Sequence, residues 1–331
     1  MNFLEELKLA KENRVISEEI EQTLSNFFFS YKKTIQENGK NVEEFVPLLL
    51  TFLKLVIEQL KTPYHFDFYH QAIRTPFDYY QFGLDFLHPL IIFKHSKVLG
   101  KENLDRILHQ LANQENVILL ANHQTEPDPQ AISLLLNKDY PTFAEKIIYV
   151  AGHRVTSDPL AVPFSLGTNL LCVHSKKHIE YDLKEKEKKL KHNQKTMQVM
   201  GELLREGGKC IFVAPSGGRD RTDEKGEVTL APFDPQSIEM FRLIGSKSDK
   251  KTHFYPLSLA TYSLLPPPNR IQKELGEKRL TTCTPIHLAF GNEIDMELFL
   301  NHQESDKKKK RQLLAQYIYE QVYTNYKNLL P

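Results

Sequence analysis

Hydrophobic residues recur near the N-terminus with the spacing of amphipathic helices. Between Ser17 and Gly39 the apolar side chains fall three or four residues apart, which places them on one helical face. A second stripe covers residues 45–60 and ends before Pro63, because the position ahead of a proline disfavours helical backbone. With one short helix ahead of them, these segments predict a small N-terminal helical bundle over residues 1–75. We expect this bundle to serve in packing or in docking a partner.

From about residue 96 the pattern changes to short apolar runs that alternate with amphipathic stretches. The runs that predict strands cover residues 115–121, 146–151, 169–174, 209–214, 253–261 and 284–290. The longest helical pattern covers residues 179–207, and its predicted apolar stripe consists of Leu183, Leu190, Met197 and Leu204. A last helix is predicted over residues 307–329. Such alternation is typical of an α/β fold in which helices flank a mainly parallel mixed sheet. We therefore predict an α/β catalytic domain over residues 76–331.

Composition narrows the class of protein. The chain has 331 residues, of which 40% are hydrophobic and 26% charged, as in ordinary globular proteins. Its 43 basic and 42 acidic residues create no overall basic field, so no nucleic-acid partner is expected. Residues 45–60, the most apolar stretch, are too short for a membrane span and include Lys54 and Glu58, so no transmembrane segment is expected.

The cysteines and the N-terminal residues bear on the compartment. Cys172, Cys210 and Cys283 are widely spaced and form no CxxC pair, which favours reduced thiols over a zinc site. The N-terminal residues are acidic and lack a long apolar run, so neither a signal peptide nor a typical transit peptide is expected there. These features favour a reducing compartment.

The stretch from Val117 to Gln130 carries the first candidate for chemistry. It begins as a predicted buried strand, and His123 lies just past the carboxyl end, where open α/β sheets bind ligands. Asp128 follows five residues later, at a predicted helix start. A neutral histidine beside a carboxylate can act as a general base on a hydroxyl. The alternative is that Asp128 is only a helix N-cap and His123 only a loop residue. A metal site that includes Glu126 is not expected, because the neighbouring prolines exclude helical ligand spacing.

Two further polar clusters each follow a predicted strand. They are Ser-Lys-Lys-His at residues 175–178 and Ser-Gly-Gly-Arg-Asp-Arg at residues 216–221. Arg219 and Arg221 alternate by two, so an extended loop would direct both guanidinium groups to one side, where they suit a phosphate. The alternative is a surface loop whose arginines pair with neighbouring acidic residues. Because parallel strands bring their carboxyl ends together, we expect all three clusters to form one site.

Four blocks, IRTPFDYYQFG, NHQTEPDP, SKKHI and APSGGRDR, together resemble the soluble, plastid-type glycerol-3-phosphate 1-O-acyltransferases. These belong to the glycerolipid acyltransferases, which share an NHxxxxD motif. The resemblance spans about residues 60–300. It implies acyl transfer from acyl-acyl carrier protein or acyl-CoA to the sn-1 hydroxyl of glycerol 3-phosphate, giving lysophosphatidate. It also implies His123 as general base with Asp128 orienting it, and it places Lys177, His178, Arg219 and Arg221 around the substrate phosphate. No cofactor and no metal are expected.

The resemblance also suggests partners and a location. Acyl carrier protein is acidic, so the basic runs at 184–195 and 307–311 are candidate landing surfaces, although a plain solvated face explains them equally well. Peripheral contact with a membrane is a further expectation. The acyl chain needs an apolar groove, for which the aromatics of 77–93 and the apolar part of 155–172 are candidates. The expected location is the bacterial cytoplasm or, for a mature form, the plastid stroma.

Two other functions stay open. A serine thioesterase or esterase would use Ser216 as nucleophile, but the strained elbow of such enzymes needs Gly-x-Ser-x-Gly, and Ala214 stands at the first glycine position. A non-catalytic acyl-carrier binding module would use the same surfaces without transferring an acyl group. Release of thiol from an acyl thioester with and without glycerol 3-phosphate separates these functions.

Overall fold

The computed structural model describes residues 2–176, 179, 185–268, 279–297 and 306–330. The chain opens with three helices, α1 (Phe3–Glu12), α2 (Glu18–Glu37) and α3 (Val46–Lys61). Ser17 defines the start of α2, because its side chain accepts the backbone N–H of Ile20 as an N-cap. These helices confirm the helical pattern of the N-terminal segment.

The second part of the chain is built on a sheet that has eight strands in the described residues. The strands in chain order, with the separate ribbon β7–β8, are β1 (Tyr69–His70), β2 (Lys97–Leu99), β3 (Asn116–Ala121), β4 (Ile148–Gly152), β5 (Asn169–Val173), β6 (Cys210–Val213), β7 (Arg221–Thr222), β8 (Val228–Thr229), β9 (Thr252–Ala260) and β10 (His287–Phe290). Across the sheet the order is β1-β5-β4-β6-β3-β9-β10-β2. The strands from β5 to β9 run parallel, whereas β1 and β10 are antiparallel to β5 and β9.

Helices cover both faces of this sheet. They are α4 (Tyr79–Leu87), α5 (Lys101–Ala112), α6 (Asp128–Leu136), α7 (Pro141–Lys146), α8 (Val162–Ser165), α9 (Lys186–Glu206), α10 (Pro235–Ser246) and α11 (Lys307–Leu329). All six residues of β3 are buried, and successive side chains enter opposite hydrophobic clusters: Leu119 packs with α5 and α6, and Leu120 with α9, α10 and α11. The architecture confirms the predicted α/β fold with its mainly parallel mixed sheet.

The N-terminal helices share a hydrophobic core with later parts of the chain. Phe27 on α2 and Phe52 on α3 pack on Phe86 of α4, with ring centroids 5.9 and 5.2 Å from it. Phe164 of α8 contacts the same ring at 5.2 Å. Aromatic rings at these separations attract one another and bury large apolar areas. The division of the chain at residue 75 stays a prediction.

Two details differ from the sequence pattern. The short edge strands β1 and β2 were not predicted, since two or three residues carry no readable alternation. The helix expected over 179–207 is α9, which begins at Lys186; residues 180–184, including Leu183, lie outside the described residues. On α9 Leu190 is 47% exposed whereas Lys189 is buried, so the predicted stripe is wrong at this turn. No helix in the described ranges has the length and the apolar content that crossing a bilayer requires.

Candidate active site

Three polar loops meet at the carboxyl ends of the neighbouring parallel strands β6, β3 and β9. His123 lies two residues after β3, the loop after β6 carries residues 216–221, and Thr261 directly follows β9. Because the strands are adjacent and parallel, the three loops lie side by side at one edge of the sheet.

His123 and Asp128 form a hydrogen-bonded pair at this edge. Nδ1 of His123 lies 2.7 Å from Oδ2 of Asp128. The histidine side chain is 29% exposed, whereas that of Asp128 is 1% exposed. An ionised carboxylate only accepts hydrogen bonds, so Nδ1 carries the proton in the neutral ring and Nε2 keeps its lone pair. This geometry presents a base on the partly open side of the pair.

The Asp128 carboxylate accepts four hydrogen bonds. Besides His123, the N–H groups of Gln124 and Thr125 donate to Oδ2 at 2.8 and 3.3 Å, and the Thr261 hydroxyl donates to Oδ1 at 2.6 Å. Asp128 is the first residue of α6, and Pro127 precedes it at the cap position. The carboxylate therefore binds the loop ahead of the helix instead of the helix's own N–H groups, and the alternative of a plain N-cap is wrong.

The loop after β6 places a second buried carboxylate beside the pair. Oδ2 of Asp220 accepts hydrogen bonds from the side-chain amides of Asn122 at 2.9 Å and Gln124 at 3.2 Å, and Oδ1 accepts from the N–H of Ala231 at 2.8 Å. Asp220 is 1% exposed, and burial raises its pKa to about 6, although the three donors and the nearby His123 lower it.

The two arginines of this loop are half-buried on either side of Asp220. Arg221 donates from one guanidinium nitrogen to the carbonyl oxygens of Arg219 at 3.0 Å and Asp220 at 2.9 Å, and it begins the ribbon strand β7. The structure thus brings Arg219 and Arg221 to the same edge as the His123 pair. Lys177 and His178, which the family resemblance assigns to the same phosphate site, lie outside the described residues.

The contacts of Ser216 do not favour its role as the nucleophile of a serine hydrolase. The Ser216 hydroxyl donates to the carbonyl of Gly218, in its own loop, at 2.8 Å. The Lys176 ammonium lies 2.6 Å from Oδ2 of Asp234 at the start of α10. The nucleophilic role of Ser216 would need its hydroxyl to turn from this carbonyl to a base.

A cavity of about 540 Å³ opens farther along the same edge, at the ends of β4 and β5. Its wall includes His153, His174 and His192, whose rings follow one another with centroids 4.9 Å apart. The rest of the lining is largely apolar and includes Leu60, Pro63, Tyr64, Phe66, Pro159, Val162, Cys172 and Val173. The ends of β4 and β5 lie two and three inter-strand spacings from β3, which corresponds to roughly 10–14 Å.

Arg279 forms a buried ion-pair cluster with Glu126 of the loop between β3 and α6, residues 122–127, which we call the His123 loop. Its guanidinium lies 3.0 Å from Oε2 of Glu126 and 3.0 Å from Oδ2 of Asp158, and these side chains are 6%, 11% and 0% exposed. The two carboxylates raise the pKa of Arg279 against the opposing effect of its burial. The cluster anchors the turn between His123 and Asp128 from the side of the protein core.

A family model described as acyltransferase matches residues 95–260. This chain belongs to the acyltransferase family. It is 41% identical over 278 residues to the glycerol-3-phosphate acyltransferase ATS12, chloroplastic, of Cucurbita moschata. This alignment covers 83% of the chain and 60% of that relative. It is 37% identical over 309 residues to the glycerol-3-phosphate acyltransferase, chloroplastic, of Arabidopsis thaliana, and 35% over 325 residues to the protein so named from Spinacia oleracea. These alignments cover 92% and 96% of the chain, and 67% and 69% of the relatives.

The chain therefore spans 60–69% of the length of these relatives. The comparisons confirm the resemblance of the four sequence blocks to an acyltransferase. The sequence pattern predicts site roles for His123, Asp128 and the two arginines. It predicts none for Asn122, Asp220 and Thr261, which the structure places beside them. Asn122 and Asp220 stand inside two of the recognised blocks, and Thr261 is the last residue of a predicted strand, so their places in the sequence are the signal that could have found them.

Proposed function

We propose that the protein transfers an acyl group from a thioester donor to a hydroxyl of glycerol 3-phosphate, giving an acylglycerol 3-phosphate. The observation that carries this proposal is the hydrogen bond between His123 and Asp128 at the carboxyl end of β3. This pair lies beside residues 216–221, which we call the arginine loop. The relatives named above are glycerol-3-phosphate acyltransferases, and this supports the choice of acceptor.

The pair supplies the proton chemistry of the transfer. Nε2 of His123 takes the hydroxyl proton as the oxygen attacks the thioester carbonyl, and Asp128 stabilises the imidazolium that forms. The tetrahedral intermediate then collapses, the carbon–sulfur bond breaks, and the imidazolium returns its proton to the leaving thiolate. The products are the ester and a free thiol. No acyl-enzyme is needed, because holding both substrates together supplies much of the acceleration.

The arginine loop supplies the binding site for the phosphate. Guanidinium groups form paired hydrogen bonds with phosphate oxygens, and Arg219 and Arg221 lie one strand away from His123. We assign Lys177 and His178 to the same anion site from the resemblance. A phosphate held at one end of the acceptor leaves the terminal sn-1 hydroxyl as the group that reaches the base.

The 540 Å³ cavity is the site we propose for the acyl chain. Its volume falls within the range of roughly 300–1,000 Å³ that ligand pockets have. Its lining includes Pro159, Val162 and Cys172 from the segment 155–172, which supports this choice. In the other candidate segment, 77–93, the rings of Phe82 and Phe86 are buried and pack on each other in the core.

The donor and the compartment complete the proposal. We favour acyl-acyl carrier protein, with the exposed lysines of the α11 start, residues 307–309, as a landing surface for an acidic partner. Peripheral membrane contact remains part of the proposal, since the product is a lipid. No cofactor or metal enters this chemistry, which needs only the two substrates. The relatives carry "chloroplastic" in their names, which favours a plastid location over a bacterial one.

The decisive experiment follows thiol release from acyl-acyl carrier protein and acyl-CoA, with and without glycerol 3-phosphate. The proposal requires release that depends on the acceptor, together with formation of the acylated product. Release without the acceptor, with labelling of Ser216 by a fluorophosphonate, would establish the hydrolase instead. Binding of the acyl carrier without any release would establish the binding module. A His123→Ala variant that binds glycerol 3-phosphate but releases no thiol assigns the base.

A further inference from the structure

Asp220 contacts three consecutive residues of the His123 loop. Its carboxylate accepts the side-chain amides of Asn122 and Gln124, and its backbone N–H donates to the carbonyl of His123 at 2.6 Å. In the sequence Asp220 stands between Arg219 and Arg221. One residue of the arginine loop therefore forms hydrogen bonds with His123 and with the residues on either side of it.

Asn122 and Gln124, which donate to Asp220, also form hydrogen bonds with the backbone at the end of β9. Asn122 exchanges two hydrogen bonds with the backbone of Leu259, at 2.8 and 3.0 Å. The side-chain oxygen of Gln124 accepts the N–H groups of Thr261 and Tyr262 at 2.7 and 3.0 Å. The His123 loop thus lies between two strand ends and is bonded to both, and Asp220 joins it to the arginine loop.

A fully buried carboxylate is a costly way to fasten a loop. Taking an ionised group out of water costs several kcal/mol, and neutral amides often hold loops as well. Here Oδ1 and Oδ2 both accept from N–H donors, so an acceptor-only group is required on each side. Asparagine in the same place would turn its NH₂ group toward at least one of these donors.

We propose that Asp220 is a positioning residue that couples the phosphate-binding arginines to His123, so that a bound phosphate orders the base. The coupling runs from Arg219 and Arg221 through one residue to the carbonyl of His123. This inference rests on the proposed function for the acceptor, but it concerns a different link in the site. The alternative to this proposal is that Asp220 only stabilises the fold and has no effect on phosphate binding or on His123.

Steady-state kinetics of Asp220→Asn and Asp220→Glu separate the two roles. Asp220→Glu keeps the acceptors but moves them by about one C–C bond, ~1.5 Å, so it tests position without removing the charge. We expect kcat to fall roughly 100-fold in both variants, because small misplacements near the reacting groups have effects of this size. KM should rise for glycerol 3-phosphate and stay unchanged for the acyl donor. Loss of thermal stability alone, with kcat and both KM values within twofold of wild type, overturns the proposal.

A double-mutant cycle tests whether Asp220 acts through the arginines. If Asp220 and Arg221 act as a unit, Asp220→Asn combined with Arg221→Ala lowers kcat/KM for glycerol 3-phosphate little more than the stronger single change. Arg242→Ala is the matched control, since Arg242 stands on α10 and pairs there with Glu239 and, beyond the helix, with Glu297. Its effect should simply add to that of Asp220→Asn. Full additivity with Arg221→Ala as well contradicts the coupling.

Nitrogen NMR of the His123 ring keeps this test separate from the proposed activity. Titration with glycerol 3-phosphate should shift the ring signals of the wild type, and the shift should be lost in Asp220→Asn while the variant remains folded. A wild type that transfers no acyl group but shows this pattern refutes the proposed function and retains the coupling. Equal shifts in wild type and variant refute the coupling, whatever the activity is.

Discussion

Nδ1 of His123 lies 2.7 Å from Oδ2 of Asp128, and the same oxygen accepts the backbone N–H groups of Gln124 and Thr125. The carboxylate therefore fixes the ring and also the backbone that carries it. Because three loop groups converge on one oxygen, this carboxylate sets the tautomer of the ring. The lone pair is left on Nε2, as a general base requires.

Asp128→Asn is expected to remove most of the activity without unfolding the site. An amide can hold the ring in the wrong tautomer and cannot stabilise an imidazolium, a change that costs about 10⁴-fold in serine proteases. We expect kcat for thiol release to fall roughly 10²–10⁴-fold, with KM for both substrates little changed. Thr261→Val is the control, since it removes only the donor to Oδ1 and should have a smaller effect. Equal losses in the two variants would contradict the role of the His–Asp bond.

Arg221→Ala is expected to weaken binding of glycerol 3-phosphate far more than binding of the acyl donor. A hydrogen bond to a charged group contributes about 1.5–3 kcal/mol, which corresponds to roughly 10- to 150-fold in KM for the acceptor. Arg221→Lys should restore part of the affinity, because it keeps the charge and loses the fork. The measurement is KM for each substrate in turn, with Arg242→Ala as a control that should change neither. A parallel rise for both substrates would remove Arg221 from the phosphate site.

The sequence predicts the location of the site better than its internal connections. β3 was predicted because five consecutive residues, 117–121, are apolar, and His123 then had to lie just past its carboxyl end. Asp220 was read only as a neighbour of two arginines. Its hydrogen bonds to Asn122 and Gln124 join residues 98 and 96 positions apart, so they exist only once β6 has paired with β3.

Helix α9 shows why a regular spacing can indicate the wrong face. A spacing of seven residues drifts by about 20° per repeat on a helix of 3.6 residues per turn. The buried residues Met200, Leu203 and Leu204 lie toward the end of the helix, and one turn after its start Leu190 already faces solvent. The sequence pattern contains no information on where the sheet beneath the helix ends.

Arg279→Leu is expected to destabilise the fold strongly. The change leaves the carboxylates of Glu126 and Asp158 buried without their cation, and breaking a buried pair in this way costs about 3–5 kcal/mol. The free energy of unfolding in urea measures the loss. The double variant with Glu126→Gln should recover part of it, because one uncompensated charge is removed. A loss below about 1 kcal/mol, the range of exposed pairs, would show that the cluster is not tightly buried in solution.

Asp220 makes the stability of the wild type depend on pH. Its folded-state pKa of about 6 lies above the ordinary 3.8, so the folded protein binds more protons between these values. Its contribution to the free energy of unfolding is therefore fully present below pH 3.8 and is lost as pH rises through 6, by about 3 kcal/mol. The titratable groups beside it are His123 on the β3 loop and Tyr319 and Tyr326 on α11.

Urea unfolding of wild type and Asp220→Asn across this range isolates that contribution. The amide does not titrate in this range. The free energy of unfolding of the wild type minus that of the variant should therefore decrease as pH rises from 3.8 to 6, and it should stay constant at higher pH. The sign decides the matter: a difference that grows with rising pH would mean that the folded-state pKa is lowered, and that the three N–H donors outweigh the burial of the carboxylate.

Val173→Phe is expected to change which acyl chains the protein accepts. Val173 ends β5 and lines the 540 Å³ cavity, and a phenyl ring there would fill part of the space without disfavouring the strand. We expect kcat/KM to fall for long-chain acyl-CoA relative to short-chain acyl-CoA by roughly tenfold or more, since each methylene that a pocket cannot hold has an effect of this order. Leu190→Phe, at an exposed position on α9, is the control. If Val173→Phe lowered kcat/KM equally for all chain lengths, the acyl chain would have to bind elsewhere.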